Sequence, residues 1–421
     1  MANKINRLKG TNDILPGEVE QWQALEQVIR DTMRRFNFNE IRPPVFEITE
    51  LFARGVGEST DIVSKEMYTF SDMGGNSLTL RPELTASVVR AYIQNNLQQV
   101  SPVQKLWYEG PMFRQERPQK GRYRQFWQFG VEAIGSPNPE QDVEVIALFQ
   151  SILEELGIAK GVVLNINTLG DSETRTRHRE ALREFLEPHL QNLSATSRQR
   201  FDSNPLRILD SKDPDDQALV KDAPAIREFL NPESESHYEQ VLGMLTEMGI
   251  AHVQNDRLVR GLDYYTHTTF EFTCDALGAQ DAICGGGRYD DLINQLGGGN
   301  VPAIGWASGI ERLLLVVDAL NAQDQASKLD LFLVVASESL RSQSLKLINQ
   351  WRTAGLSCDT DTMRRSLKAQ MREANRKGAR FVAIFGEEEF LAGKIQLKNL
   401  ENGEQEAIAL ADVVPSIKTA V

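Results

Sequence analysis

A few short stretches of the chain carry residues whose types and spacing could hold a phosphate, a purine and a small polar molecule. In WYEGPMFRQERPQKGRYRQFWQFGVE (107–132), strand alternation puts Arg114 and Glu116 on one face of a first strand. After a tight loop containing Pro118 and Gly121, it puts Phe126, Gln128, Gly130 and Glu132 on one face of a second. A hairpin built this way presents a guanidinium, two carboxylates, an amide and an aromatic ring to one cavity, and Gly130 is expected to leave room for a ligand. Such a set could clamp a phosphate through bidentate Arg hydrogen bonds and stack a purine. The same pattern also suits a surface hairpin whose Arg and Glu pair across strands.

LVRGLDYYTHTTFE (258–271) carries more information than any other stretch. Gly261 beside Arg260 suggests a close backbone approach in which the Arg points at a ligand. Tyr264 and Tyr265 are adjacent, so in an extended segment they face opposite ways, and one of them is expected to line a pocket; an aromatic strand in a core has the same sequence. GGGRYDDL (285–292) supplies flexible backbone beside a wall residue, or a glycine-rich turn between strands. GWASGIERL (305–313) places Arg312 at a helix start after Gly305, Ala307, Ser308 and Gly309, a pattern shared with an amphipathic core helix carrying an exposed Arg. No G-x-x-x-x-G-K-[ST] occurs, so a P-loop route to a nucleotide is closed.

These stretches need elements to hold them. Trp22, Leu25, Ile29, Met33 and Phe36 recur at helical spacing, which predicts an amphipathic helix that Pro43 and Pro44 break before an extended segment. Segments 78–85, 105–117, 123–134 and 161–171 read as strands, and ALFQSILEELG (147–157) as a helix stopped by Gly157. From about 172 to 256 the pattern turns helical, with charged, proline-punctuated stretches around SKDPDD (211–216). The β-rich pattern resumes at 258 and ends in a helix over 309–320; the polar NAQDQASK (321–328) reads as a linker. The remaining residues alternate strand and helix and close on a hairpin, as a small α/β domain would. In that domain Arg364, Arg365, Lys368, Arg372 and Arg376, followed by Lys377 and Arg380, form a basic stripe or a merely solvated helix face.

Composition sets the outer bounds. A chain of 421 residues exceeds one ordinary core. No apolar run approaches the roughly 20 residues of a bilayer span, and the N-terminus lacks the apolar core of a secretory signal, so a cytoplasmic, non-membrane protein is expected. Cys274, Cys284 and Cys358 are scattered without a C-x-x-C pair, which argues against a structural zinc site. A net charge of −13 argues against non-specific nucleic-acid binding, so RNA contact would need local basic patches.

Taken together, RPELT (81–85), GPMFRQERPQKGRYRQFWQFGVE (110–132), RGLDYY within 258–271, GGGRYDDL and GWASGIERL resemble the histidyl-tRNA synthetase family of class II aminoacyl-tRNA synthetases, over almost the whole length. The resemblance implies an α+β fold: an antiparallel sheet core flanked by helices, a helical insertion and a C-terminal anticodon-binding α/β domain. Its parts would be 1–171 and 257–322 for the core, 172–256 for the insertion and 323–421 for the linker and last domain. The weaker match NEIRPPVFE (39–47) implies a homodimer. The class I signatures H-x-G-H and K-M-S-K-S do not occur.

By matching positions the resemblance implies roles. Arg114 would hold the α-phosphate of ATP, Glu116 the adenine amino group and Phe126 the adenine ring, with Arg312 near the phosphates or the other adenine face. Glu83 and Thr85 would take the α-amino group of L-histidine, Gln128 and Arg260 its carboxylate side, and Glu132 with Tyr265 the imidazole, Tyr264 standing beside them. Arg117 and Gln119 would approach the acceptor end of tRNA(His). Mg²⁺ would arrive on the ATP phosphates. A carboxylate is already a nucleophile, so catalysis would rest on alignment and charge neutralisation by Arg114 and Arg260. One departure from many bacterial relatives, Leu84 in place of Gly, is expected to change packing and to spare the chemistry, because alternation points it away from Glu83 and Thr85. A non-catalytic paralogue that regulates ATP phosphoribosyltransferase shares the fold, but it typically lacks the intact RGLDYY segment and the last domain.

Overall fold

Alternation along one long strand organises the whole first half of the molecule. On Gln125–Ile134, Phe129, Val131 and Ala133 are buried in an apolar layer on one side, while Gln128 and Glu132 line a cavity on the other. The computed structural model describes residues 4–57, 60–211, 213–278, 281–320 and 329–419; the expected linker at 321–328 lies outside them. They divide into two units, Met1–Asp324 and Gln325–Val421.

The first unit contains strands β1 (Asn39–Glu40), β2 (Phe46–Ile48), β3 (Tyr68–Ser71), β4 (Ser77–Leu80), β5 (Gln104–Phe113), β6 (Gln125–Ile134), β7 (Val163–Thr168), β8 (His252–Gln254), β9 (Thr266–Thr273), β10 (Ala282–Arg288) and β11 (Ala303–Gly309). Eight of them form one sheet in the order β1-β5-β6-β11-β10-β9-β7-β8. Its six central strands are antiparallel, and the short edge strands β1 and β8 pair parallel to their neighbours. β2, β4 and β3 form a small separate sheet.

Helices α1 (Val19–Arg35), α2 (Thr49–Val56), α3 (Thr85–Gln94), α4 (Pro139–Glu155), α5 (Ser172–Leu186), α6 (Ala195–Ser203), α7 (Pro214–Val220), α8 (Pro232–Glu247), α9 (Leu292–Gln295) and α10 (Ile310–Ala319) complete the unit. Ile29 of α1, Phe149 and Leu153 of α4, Val241 of α8 and Leu313 of α10 meet Phe129, Ile166, Phe270 and Trp306 of the sheet in one buried layer. Each such side chain contributes about 1.5–3 kcal/mol of burial free energy. The helices therefore cover one sheet face and leave the other for chemistry. Between Thr168 and Thr266 the chain is mostly helical; α8 and β8 are built into the main layer, whereas Leu182 and Leu186 of α5 share a second core with Tyr264, Tyr265 and Tyr289.

Three expectations change. The first helix stops at Arg35, well before the prolines, because Asn37 takes a left-handed φ of 59° and Phe38 N–H closes back on Met33 O. Phe36 caps it only partly buried. Segment 78–85 is a strand only to Leu80, and RPELT is the turn into α3.

In the second unit, β12 (Leu331–Val335), β13 (Cys358–Thr360), β14 (Phe381–Phe385), β15 (Lys394–Asn399) and β16 (Gln405–Ala409) form a sheet ordered β13-β12-β14-β15-β16, parallel among the first three and antiparallel beyond. Helices α11 (Arg341–Thr353) and α12 (Leu367–Arg376) accompany it. The basic stripe is shorter than expected. Arg364 sits before α12 with φ 55°, Arg365 and Arg376 both bind Glu373, and Lys377 binds Asp359. Lys368 and Arg372 are the helix-borne cations left exposed without an ion pair among the described residues.

Candidate active site

The open sheet face is a cleft of two chambers that share Arg114, Glu116, Gln128, Arg260 and Glu271. The sequence put these residues on separate motifs, and the antiparallel order β6-β11-β10-β9 brings them together.

The first chamber, about 190 Å³, is lined by Arg114, Glu116, Phe126 and Arg312 with Arg122 and Cys284. Arg114 lies just past the end of β5, where its Nε donates to Pro82 O at 2.9 Å and its guanidinium covers the Phe126 ring at 5.2 Å. Arg122 holds Glu116 at 3.2 Å. Arg312, in the first turn of α10, donates to Ala282 O at 2.6 Å and Gly121 O at 3.2 Å, so the hairpin loop and β10 both fix it. Glu311 beside it accepts the Trp127 N–H at 3.0 Å, and burial pushes its carboxyl up to about 7. The chamber thus offers cations and the aromatic rings of Phe126 and Tyr123, which suits a polyphosphate and a purine.

The second chamber, about 380 Å³, is lined by Glu83, Thr85, Glu132, Tyr264 and Tyr265, with Tyr108 and Tyr289. Glu83 caps α3: its two carboxylate oxygens accept the N–H groups of Thr85 (2.6 Å) and Ala86 (3.0 Å), the arrangement a helix N-terminus favours. Leu84 accordingly turns into an apolar cluster with Val88, Leu106 and Met112. Glu132 is 1% exposed and accepts hydroxyl hydrogen bonds from Thr85 (2.8 Å), Tyr289 (2.5 Å) and Tyr108 (3.3 Å). Burial pushes its carboxyl up to about 8, while the Tyr289 and Thr85 hydroxyls pull it down.

Arg260 reaches across the middle. Its Nη1 binds Glu271 at 2.5 Å and its guanidinium lies 6.0 Å from the Tyr265 ring centre. A Cβ on Gly285 would land on that guanidinium, so the glycine run is the channel through which Arg260 passes. Likewise a Cβ on Gly305 would strike the Glu132 carboxylate. Arg260 Nε and Gln128 Oε1 are buried without hydrogen-bond partners among the described residues, as groups awaiting a ligand would be.

Three sequence expectations fail here, the first at Gly261, where an added Cβ would meet nothing within 4 Å; the close approach is at Gly285 instead. Both tyrosines of the Tyr264–Tyr265 pair line the chamber, with ring centres 4.6 Å apart, because Gly261–Tyr264 is a bend and turn and alternation does not apply. Gly130 does not leave room for a ligand: the Tyr108 hydroxyl occupies that space, 2.5 Å from where a Cβ would stand. Sequence reasoning missed Tyr108, Tyr289 and Glu271 as lining residues, although Tyr289 lies within GGGRYDDL and Glu271 closes TTFE. Arg117 and Gln119 line neither chamber and are exposed on the hairpin loop.

A sheet of this order, with a phosphate-suited hairpin and a polar chamber beside it, defines a class II aminoacyl-tRNA synthetase core. Comparison with known proteins narrows the class. Residues 10–313 match the family model described as histidyl-tRNA synthetase, and 330–420 match the anticodon binding domain. The chain is 49% identical to the histidine–tRNA ligase of Lysinibacillus sphaericus, covering 98% of both chains. It is 49% identical to that of Bacillus subtilis, covering 97% of both. An apo Staphylococcus aureus histidyl-tRNA synthetase structure superposes with a TM-score of 0.83 at 40% identity, covering 99% of this chain and 100% of that one. The chain belongs to the histidyl-tRNA synthetase family.

Proposed function

We propose that the two chambers divide the work of a histidine–tRNA ligase, ATP in the first and L-histidine in the second, with Arg260 at their junction. The chain activates L-histidine with ATP to histidyl-adenylate and pyrophosphate, then transfers histidine to tRNA(His). In this reading Arg114 and Arg312 bind phosphate oxygens, Phe126 stacks on adenine and Glu116 accepts from its amino group. Glu83 and Thr85 take the ammonium, Gln128 and Arg260 the carboxylate, and Glu132 with Tyr264 and Tyr265 the imidazole. An ammonium wants acceptors, a carboxylate wants donors, and an imidazole wants a defined donor–acceptor pair. The observation that carries the assignment is the position of Arg260, within reach of both chambers and held by Glu271.

Mg²⁺ would enter on the ATP phosphates, and Glu271 is a lining carboxylate able to add an oxygen ligand. The ion would supply charge neutralisation at the phosphates. Among the described residues no helix is long and apolar enough to cross a membrane. A homodimer is supported by the exposed apolar face of the small sheet, where Phe46, Ile48 and Phe70 stand 52%, 55% and 45% exposed. We assign 1–171 and 232–322 to the catalytic core, because α8 and β8 are built into its main layer, 172–231 to an insertion facing the tRNA acceptor arm, and 323–421 to a linker and anticodon binding.

ATP–pyrophosphate exchange with each of the twenty amino acids tests the reading. Exchange with histidine alone is expected. Background exchange with histidine, together with binding to ATP phosphoribosyltransferase, would assign the chain to the regulatory paralogues instead.

A further inference from the structure

The Tyr264–Tyr265 turn is held from outside the chambers by a residue that lines neither of them. Arg175 stands in the first turn of α5, where the helical insertion begins, and its side chain is 16% exposed. Its Nη1 donates to Tyr265 O at 2.8 Å and its Nη2 to the Asp291 carboxylate at 3.4 Å. One planar guanidinium thus bridges RGLDYY and GGGRYDDL, the two motifs whose Tyr265 and Tyr289 line the second chamber. Arg175 Nε is buried without a hydrogen-bond partner among the described residues, so the two Nη contacts alone aim the fork.

The base from which Arg175 reaches is itself anchored. Asp171 caps α5 by accepting the Thr174 N–H at 2.7 Å, and its other oxygen accepts from Asn231 Nδ2 at 2.8 Å. Asn231 in turn caps α8, accepting the Ser234 N–H, and α8 packs into the main layer. Further along α5, Leu182 and Leu186 share a core with Tyr264, Tyr265 and Tyr289.

The target needs such an anchor. Gly261–Tyr264 is bend and turn, and His267, two residues past Tyr265, takes φ 41°, an uncommon value for a residue with a side chain. Tyr265 lies between these two irregularities, just before β9 begins, and that is where Arg175 donates. A polar side chain discriminates between ligands only where it is held to within about 0.5 Å of its place.

We propose that Arg175 is a positioning residue for histidine recognition: by holding the Tyr265 carbonyl and Asp291 it sets the Tyr265 ring against the imidazole, without touching the amino acid itself. The proposal rests on the reading of Tyr265 as a partner of the imidazole.

The test measures KM for histidine and for ATP by pyrophosphate exchange in full-length Arg175→Ala, Tyr265→Phe and the double variant, with the melting temperature of each. Arg175→Ala should raise KM for histidine on the order of tenfold, less than the roughly 10²-fold that a fully misplaced group costs, and leave KM for ATP unchanged. Tyr265→Phe should raise it on the order of tenfold by leaving a ring nitrogen unpaired. In the double variant Arg175→Ala should then add at most about twofold, because the hydroxyl it positions is gone. If the two factors multiply instead, Arg175 does not act through Tyr265 and the proposal is overturned. Equal rises in both KM values, or a lower melting temperature with both KM values at wild type, would mean that Arg175 only braces α5 against the core, which also overturns it. Should Arg175→Ala not fold, Arg175→Lys, which offers one ammonium to two acceptors, carries the same comparison with a smaller rise. A wild-type histidine KM in Tyr265→Phe would overturn the imidazole reading and the proposal with it. A raised KM in Tyr265→Phe beside a wild-type one in Arg175→Ala overturns the proposal alone.

Discussion

Tyr289 donates its hydroxyl hydrogen to Glu132 at 2.5 Å, joining the glycine-rich segment on β10 to the central strand β6 at the bottom of the second chamber. That contact, with those from Thr85 and Tyr108, holds a carboxylate in a place where burial disfavours its charge.

A first prediction concerns that cost. The Glu132 carboxyl rises from an ordinary 4.5 to about 8, so between those values the folded chain keeps a proton that the unfolded chain has released. Stability contributed by this group is therefore full below about pH 4.5 and declines as pH rises toward 8. Glu132→Gln should raise Tm, more at pH 8 than at pH 5. It should also raise KM for histidine on the order of 10–100-fold by leaving a ring nitrogen mispaired, with KM for ATP nearly unchanged. Calorimetry at both pH values and the two KM values on one preparation decide it. A lower Tm with an unchanged histidine KM would make Glu132 a structural residue only.

Arg260 and Gly285 give a second prediction, since one occupies the space the other leaves. Arg260→Ala should slow adenylate formation on the order of 10²–10³, as loss of an oriented donor to the transition state does. Gly285→Ala should reproduce much of that loss without removing a charge, because its Cβ displaces the guanidinium. Single-turnover adenylation rates measure both, and a wild-type rate in either variant removes that residue from the alignment.

The third prediction lies behind the site. Arg288 (1% exposed) makes bonds of 2.6–3.0 Å to Asp142 on α4 and donates to Ser136 O and Asn138 O. Tyr289, next in sequence, extends to the opposite side and reaches Glu132. Asp142→Ala should cost about 3–5 kcal/mol, because it strands a buried cation. Asp142→Leu combined with Arg288→Met should recover much of that stability, and urea unfolding of the two variants compares them. If Arg288 also sets the position of Tyr289, both variants will raise KM for histidine even where stability is recovered.

Much of this was legible in the sequence, and the failures share a cause. Alternation correctly grouped Phe126, Gln128 and Glu132, because β6 is extended throughout. It misled at Tyr264 and Tyr265, where the chain bends, and over 81–85, which is a turn into a helix rather than strand, although Leu84 does point away from Glu83 and Thr85. It also could not see across the sheet: Tyr108 pairs with Gly130 and fills its space, a consequence of register between β5 and β6. The glycines of 285–287 read as flexible backbone, whereas two of them are close approaches forced by Arg260 and Trp306. Spacing tells which residues share a face; it does not tell which neighbour stands opposite.

The last prediction separates the two half-reactions through α12 of the second unit. The sequence showed a row of cations, but the structure divides them. Arg365 and Arg376 both bind Glu373, Arg376 at 2.6 Å, and Lys377 is held by Asp359. Paired cations are partly neutralised and attract phosphate weakly, whereas Lys368 and Arg372 remain exposed without an ion pair among the described residues. If this unit binds the anticodon arm, these two should carry the electrostatic share. Lys368→Glu/Arg372→Glu should raise KM for tRNA several-fold and reduce the salt slope by about 1–2, with pyrophosphate exchange untouched because both chambers are lined by residues of the first unit. Arg376→Glu should act differently: it sets two carboxylates against each other, so it should lower the stability of the second unit more than it alters tRNA KM at moderate salt. Aminoacylation, exchange and thermal melting of the two variants decide between them. An unmoved tRNA KM for Lys368→Glu/Arg372→Glu at both low and moderate salt would reduce the stripe to a solvated face.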